Sequence, residues 1–146
     1  MIIVTYKGQC PERGSKKAAG YDLKADVEVT ISPRDTKLVK TGLKIQLPDN
    51  YEAQVRPRSG LALKKGLTVL NAPGTIDPDY TGEIGVIIHN TSDKYVKISK
   101  GDKIAQLVVS RFEEIDWMEV RGFKETERGE GGFGHTGMLQ EDEPAG

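Results

Sequence analysis

Short runs of β-branched and aromatic residues recur along the chain, each too brief for a helix. They fall at Ile2–Tyr6, Val27–Ile31, Leu43–Leu47, Glu52–Arg56, Leu67–Leu70, Ile84–Ile88, Tyr95–Ile98 and Ile104–Phe112. Turn-forming clusters separate them, among them Ser32-Pro33-Arg34-Asp35, Pro48-Asp49-Asn50, Ser92-Asp93 and Lys100-Gly101-Asp102. β-branched side chains fit a pleated, half-buried surface, and the Pro, Gly, Asn and Asp clusters supply the bends. Many short strands at such spacing predict an all-β domain, a sandwich or a jelly roll. One stretch departs from the pattern: Ser59–Lys65, where Leu61, Ala62, Leu63 and two lysines predict a short helix. No internal repeat is present.

The pattern changes near Phe123. From Gly122 to Gly137 six of sixteen residues are glycine, and Gln140–Gly146 carries three acidic residues. Such a stretch lacks apolar side chains to bury, so the chain divides into a β domain over 1–123 and a flexible, glycine-rich C-terminal arm over 124–146. A length of 146 residues suits one hydrophobic core. Hydrophobic residues at 36% and charged residues at 29% place the chain among globular rather than disordered proteins. With a net charge of −1, nothing global draws it to nucleic acid or an acidic membrane, and stable nucleic-acid binding is not expected. Any polyanion it takes must be met by a local cluster of donors. A single cysteine, Cys10, excludes an internal disulfide and fits a reducing compartment. No apolar run reaches membrane-spanning length and the N-terminus lacks a signal-peptide pattern, so the expected location is the cytoplasm.

Against this frame five segments carry candidate chemistry. The most informative is Gly74–Glu83, GTIDPDYTGE, which sets Asp77 three residues from Tyr80 between two apolar runs. It reads as a hairpin presenting an acid and a flat ring on its ascending arm. A carboxylate there suits a general base, and the ring suits a wall for a sugar. The same residues also suit a plain β-turn in which Asp77 caps backbone amides and Tyr80 fills a gap. In the arm, Arg128–Gly137 (RGEGGFGHTG) joins a guanidinium to glycines that let backbone amides face an anion. It lacks the Gly-Lys-Ser/Thr ending of a Walker A loop. Phe133 has no evident core to enter there and suits stacking on a base. The alternative is a disordered tail.

Arg56–Gly66 (RPRSGLALKKG) places Arg58, Ser59 and Gly60 at the start of the short helix. That arrangement suits phosphate, and it equally suits ordinary N-capping by Ser59. Lys100–Val109 feeds a buried strand in which Gln106 must find a backbone or ligand partner. Ala18–Ala25 places Asp22 after a glycine turn. His89 follows the apolar run Ile84–Ile88 and reads as structural or as a subunit contact.

In this order and spacing the five segments resemble the five motifs of the homotrimeric dUTPases, the deoxyuridine 5'-triphosphate nucleotidohydrolases. The resemblance spans about Ala18 to Gly137. It implies a trimer with three shared active sites, each drawing the first, second and fourth motifs from one subunit, the third from a neighbour and the arm from the remaining subunit. It implies hydrolysis of dUTP to dUMP and pyrophosphate, which limits uracil in DNA and supplies dUMP for thymidylate synthesis. Residue by residue, Asp77 matches the carboxylate that activates the attacking water, and Tyr80 the ring that leaves no space for a 2′-hydroxyl. Asn71 and the backbone of Gly74 to Ile76 match the uracil-reading hairpin, and Phe133 the base-stacking ring. Arg58, Ser59, Gly60, Gln106, Arg128, Gly134 and Thr136 match contacts to the nucleotide and its phosphates. Asp22 matches a support beside metal-bound water. His135 stands where the family usually has serine or another small residue, though an imidazole also donates to phosphate. Mg²⁺ is implied, carried by the three phosphates and water rather than by protein ligands. Two alternatives share the fold: the related dCTP deaminase, and a nucleotide-switched regulatory protein acting through a protein partner.

Overall fold

The computed structural model describes residues 1–137 and 139, and the chain divides into two units, Met1–Glu114 and Ile115–Gly146. The first unit holds eleven strands and one helix. In chain order the strands are β1 (Thr5–Lys7), β2 (Glu12–Arg13), β3 (Tyr21–Lys24), β4 (Val29–Ile31), β5 (Thr36–Gln46) and β6 (Tyr51–Arg56). The helix α1 (Ser59–Lys65) follows, then β7 (Leu67–Val69), β8 (Gly74–Ile76), β9 (Glu83–Asn90), β10 (Val96–Ile98) and β11 (Lys103–Arg111).

The strands form a four-stranded sheet in the order β1-β5-β9-β7, a five-stranded sheet in the order β2-β3-β11-β6-β8, and a small β10-β4 pair, all antiparallel. This is the all-β, jelly-roll-like architecture expected, with a single short helix. Alternation sets the inner faces. On β9, Ile84, Val86, Ile88 and Asn90 are buried while the residues between them are not; on β5, Val39, Thr41, Leu43 and Ile45 do the same. Leu23, Ala53, Val55, Ile104, Ala105 and Leu107 complete the core from the five-stranded sheet. The expected turns are present, with Arg34 (φ 62°), Asn50 (φ 67°) and Gly101 (φ 93°) taking the left-handed conformation.

Two local features stand out in this framework. Opposite Ile84, β5 carries a bulge: Lys40 pairs with Gly85 and Lys44 with Glu83, so three residues face one. Asn90 is fully buried and binds five groups. Its Nδ2 donates to the carbonyls of Ile31, Ser32 and Lys94, and its Oδ1 accepts from the N–H and hydroxyl of Ser92. His89 accepts or donates at Nδ1 with Thr36 Oγ1 at 3.0 Å, a structural contact between β5 and β9. No helix among the described residues is long and apolar enough to cross a membrane.

Candidate active site

The apolar runs flanking GTIDPDYTGE are antiparallel neighbours: Leu67 pairs with Asn90 and Val69 with Ile88. The connection between them is not a simple hairpin. After Leu70, whose N–H still donates to the Ile87 carbonyl of β9 at 2.9 Å, residues 71–82 leave the four-stranded sheet, and β8 docks on the edge of the other sheet, with Gly74 opposite Val55 and Ile76 opposite Ala53. Gly74 and Ile76 are buried with Thr75 exposed between them, a strand alternation too short to stand out beside the prolines. Asp77 therefore follows a separate edge strand rather than rising along a hairpin arm.

A β-turn comes next, in which the Tyr80 N–H donates to the Asp77 carbonyl at 3.1 Å. Pro78 sits second, where its fixed φ suits the turn. The Asp77 carboxylate is exposed and caps no backbone amide among the described residues, so the capping alternative is not what the fold adopts. Tyr80 does more than fill a gap. Its hydroxyl donates to the Glu83 carbonyl at 2.7 Å while the ring stays 47% exposed. The ring lies across Gly82, where a Cβ would stand 2.6 Å from the phenol oxygen. Asn71 packs over Gly74, where a Cβ would come within 3.1 Å of its Nδ2. Val55, Asn71, Gly74, Ile76, Tyr80 and Glu83 line one cleft of about 190 Å³. Asn71, Gly74, Ile76 and Tyr80 thus share one cleft, with Asp77 on the turn that follows β8.

A second cluster gathers around Asp22 on β3. Its carboxylate, 15% exposed, lies 3.7 Å from Arg58 Nε and 3.6 Å from Lys103 Nζ. Arg58 also donates from Nη1 to the Lys103 carbonyl at 3.1 Å. The sheet sets this up: on β11, Gln106 faces Asp22 of β3 on one side and Arg56 of β6 on the other. Gln106 Nε2 makes a 3.4 Å contact with the Pro57 carbonyl. A Cβ at Gly20 would strike the Gln106 amide, so that glycine makes room for it. Arg58, not Ser59, is the N-cap of α1, and no side chain caps the helix. The first helical hydrogen bond runs from Ala62 N to Arg58 O, which leaves the Ser59 and Gly60 amides without an intrahelical acceptor. The Ser59 hydroxyl is exposed. Lys103 and Glu83 carry no signal of their own in the sequence, whereas Gly20 and Gly82 stand there as turn glycines. Lys103 meets Asp22 only through strand pairing, which local pattern does not reveal. The two glycines flank residues that were recognised, and that adjacency was the available signal.

The second unit has no helix or strand among its described residues. Arg128 closes a turn on Gly131, donating from Nε to its carbonyl and accepting its N–H at 3.1 Å. The His135 ring rests against Gly131, where a Cβ would lie 3.1 Å from its Cδ2. Phe133 takes a positive φ of 48° and is fully exposed, followed by Gly134 at φ 97°. Thr136 is exposed.

The family model of the dUTPases matches residues 6–137. The chain belongs to the dUTPase family. It is 52% identical over 130 residues to the deoxyuridine 5'-triphosphate nucleotidohydrolase of Thermoanaerobacter sp., covering 88% of each chain. Among solved structures it resembles a Staphylococcus bacteriophage 80alpha dUTPase with dUPNHPP, at TM-score 0.86 and 27% identity, over 94% of this chain and 100% of that one. It also resembles a mutant dUTPase from phage phi11 of S. aureus described for the coordination of a structural Mg(II) ion, at TM-score 0.76 and 25% identity, over 85% and 100% of the two chains. Mg²⁺ dependence is supported by membership of this family and by the structural Mg(II) ion of that neighbour. No group of three or more His, Cys, Asp or Glu is assembled among the described residues, and Asp22 already faces two cations. Its remaining capacity is for water rather than for a bare metal ion.

Proposed function

We propose that this dUTPase hydrolyses dUTP to dUMP and pyrophosphate by attack of water on the α-phosphorus, with Asp77 as the general base. The observation that carries this reading is the placement of an exposed, uncommitted carboxylate one turn from a half-exposed ring and a cleft edged by Asn71. Asp77 takes a proton from the water as its oxygen bonds to phosphorus, and the bond from the α-phosphorus to the bridging oxygen breaks to release pyrophosphate. β8 is an edge strand, so its outer backbone groups and the Asn71 amide are available to read a uracil edge. Tyr80 forms the sugar wall and excludes a 2′-hydroxyl by contact.

Arg58, Ser59, Gly60 and Gln106 hold phosphate oxygens, with Asp22 and Lys103 fixing the guanidinium. From the arm, Arg128, Gly134, His135 and Thr136 add phosphate contacts, and Phe133 supplies a stacking face for the base. Mg²⁺, when bound on the triphosphate, offsets its negative charge and helps hold one phosphate conformation, with Asp22 positioned to accept from its water. The working unit is a homotrimer with shared sites. Ile115, Trp117, Met118 and Phe123 are exposed at 63%, 84%, 84% and 93%, an apolar stretch that suits burial against another copy. A location in the cytoplasm agrees with the free, exposed Cys10.

The test is pyrophosphate release from dUTP, dTTP, dCTP and UTP side by side. Turnover of dUTP well above the other three is expected. Ammonia release from dCTP would assign the deaminase reaction instead, and comparable rates on all four would defeat the assignment.

A further inference from the structure

Resting on the reading of Tyr80 as the sugar wall, we infer that Glu83 is a positioning residue that sets sugar discrimination by tying Tyr80 to the bulge of β5. Three contacts form a chain. The Tyr80 hydroxyl donates to the Glu83 carbonyl at 2.7 Å. The Glu83 carboxylate accepts the Gly42 N–H at 2.9 Å. Gly42 is the apex of the bulge, at φ 70°, and a Cβ there would stand 2.9 Å from the Asp26 carboxylate. The bulge is fixed on its own side as well. The buried Thr41 hydroxyl donates to the Ile84 carbonyl and accepts the Leu43 N–H at 3.2 Å.

Without a bulge, a residue at the start of β9 would pair through its backbone alone. Here the extra residues of β5 turn an N–H outward from the ladder, and Glu83 is the side chain that meets it. The Glu83 backbone is thereby anchored at the point where the phenol is held. The ring lies across Gly82 with its hydroxyl on that carbonyl, so the position of Glu83 sets where the ring stands beside the cleft. A wall that discriminates between hydrogen and hydroxyl must hold its position within a fraction of an ångström, so its anchor governs selectivity more than binding of the phosphates.

The experiment compares kcat/KM for dUTP and UTP in the unmodified protein, Glu83→Ala, Glu83→Gln and Glu83→Asp, all as full-length chains with thermal stability recorded. The dUTP/UTP ratio should fall about tenfold in Glu83→Ala, the scale of losing one well-placed steric contact. Most of that fall should come from improved use of UTP. Glu83→Gln keeps an acceptor oxygen at the same reach and should restore the ratio to within about threefold. Glu83→Asp, one methylene shorter, should lose the Gly42 contact and behave like Glu83→Ala, and it carries the test if the alanine variant does not fold. Parallel losses on both nucleotides, with the ratio unchanged, would overturn the inference and leave Glu83 merely structural. If the unmodified protein itself used UTP as well as dUTP, the sugar-wall reading and this inference would both be overturned.

Discussion

Asn90→Ala offers a quantitative test of what holds the β domain together away from the cleft. The side chain is fully buried and makes five hydrogen bonds, to Ile31, Ser32, Lys94 and twice to Ser92. The Nδ2 amide has two N–H groups to share among its three carbonyls, so these contacts amount to four full bonds, and at about 1 kcal/mol net each their sum is about 4 kcal/mol. Four of the five are only part-buried, so water can enter the vacated space and recover part of the loss. The expected cost is about 3 kcal/mol, a large share of the roughly 5–15 kcal/mol that keeps a domain folded. For a chain of this size it corresponds to a fall in Tm of about 6–12 °C. Asn90→Asp sharpens the test. It keeps an oxygen for Ser92 but turns the Nδ2 donor into an oxygen facing three carbonyls, so at pH 7 it should be less stable than the alanine variant despite its closer shape. Thermal and urea unfolding at one fixed protomer concentration would measure both, since assembly also shifts apparent stability. A cost below about 1 kcal/mol for alanine, or an aspartate variant as stable as the parent, would refute the account of this hub.

Asp77→Asn should retain dUTP binding and lose at least about 10²-fold in kcat, the usual scale for a positioned base; turnover near the parent rate would remove Asp77 from the mechanism. Gly82→Ala should push the Tyr80 ring from its seat and raise KM for dUTP about tenfold, measured by steady-state pyrophosphate release; an unchanged KM would mean that the ring does not depend on that glycine. Truncation after Thr126 should leave a folded but inactive protein, since phosphate bonds of about 1.5–3 kcal/mol each and stacking of about 1–3 kcal/mol are lost together. Co-refolding that truncated chain with Asp77→Asn subunits should restore pyrophosphate release, and its absence in verified mixed trimers would refute sites shared between chains.

Much of the fold was legible because alternation carried it. The runs at Glu52–Arg56 and Ile84–Ile88 lie in β6 and β9, the run Ile104–Phe112 lies in β11 except for Phe112, which follows its end, and Ser59–Lys65 is the helix. Strand β5 extends well upstream of Leu43–Leu47, to Thr36, because its lysines point outward and dilute the apolar signal of Val39. Strand β3 was hidden by its length and by Asp22, which sits on its polar face. Strand β8 reads in the sequence as part of a turn, since three residues between Pro73 and Pro78 carry little periodicity and its pairing with β6 is long-range. At the site, the motif order pointed to Asp77, Tyr80, Asn71 and Arg58. Lys103 and Glu83 act through partners distant in sequence or through their own backbone, and no local pattern marks them.

The brevity of β8 has a consequence for solubility as well as for chemistry. An open sheet edge is a template on which another chain can pair and aggregate. Here the five-stranded sheet ends in only three residues, Gly74–Ile76, bracketed by Pro73 and Pro78, which have no N–H to offer, and by the carboxylates of Asp77 and Asp79. A foreign strand would meet too few paired groups to zip along it, and would meet negative charge at one end. A nucleobase needs far less length than a strand, so under the proposed uracil-reading role the same truncated edge serves a small planar ligand while refusing a neighbouring polypeptide.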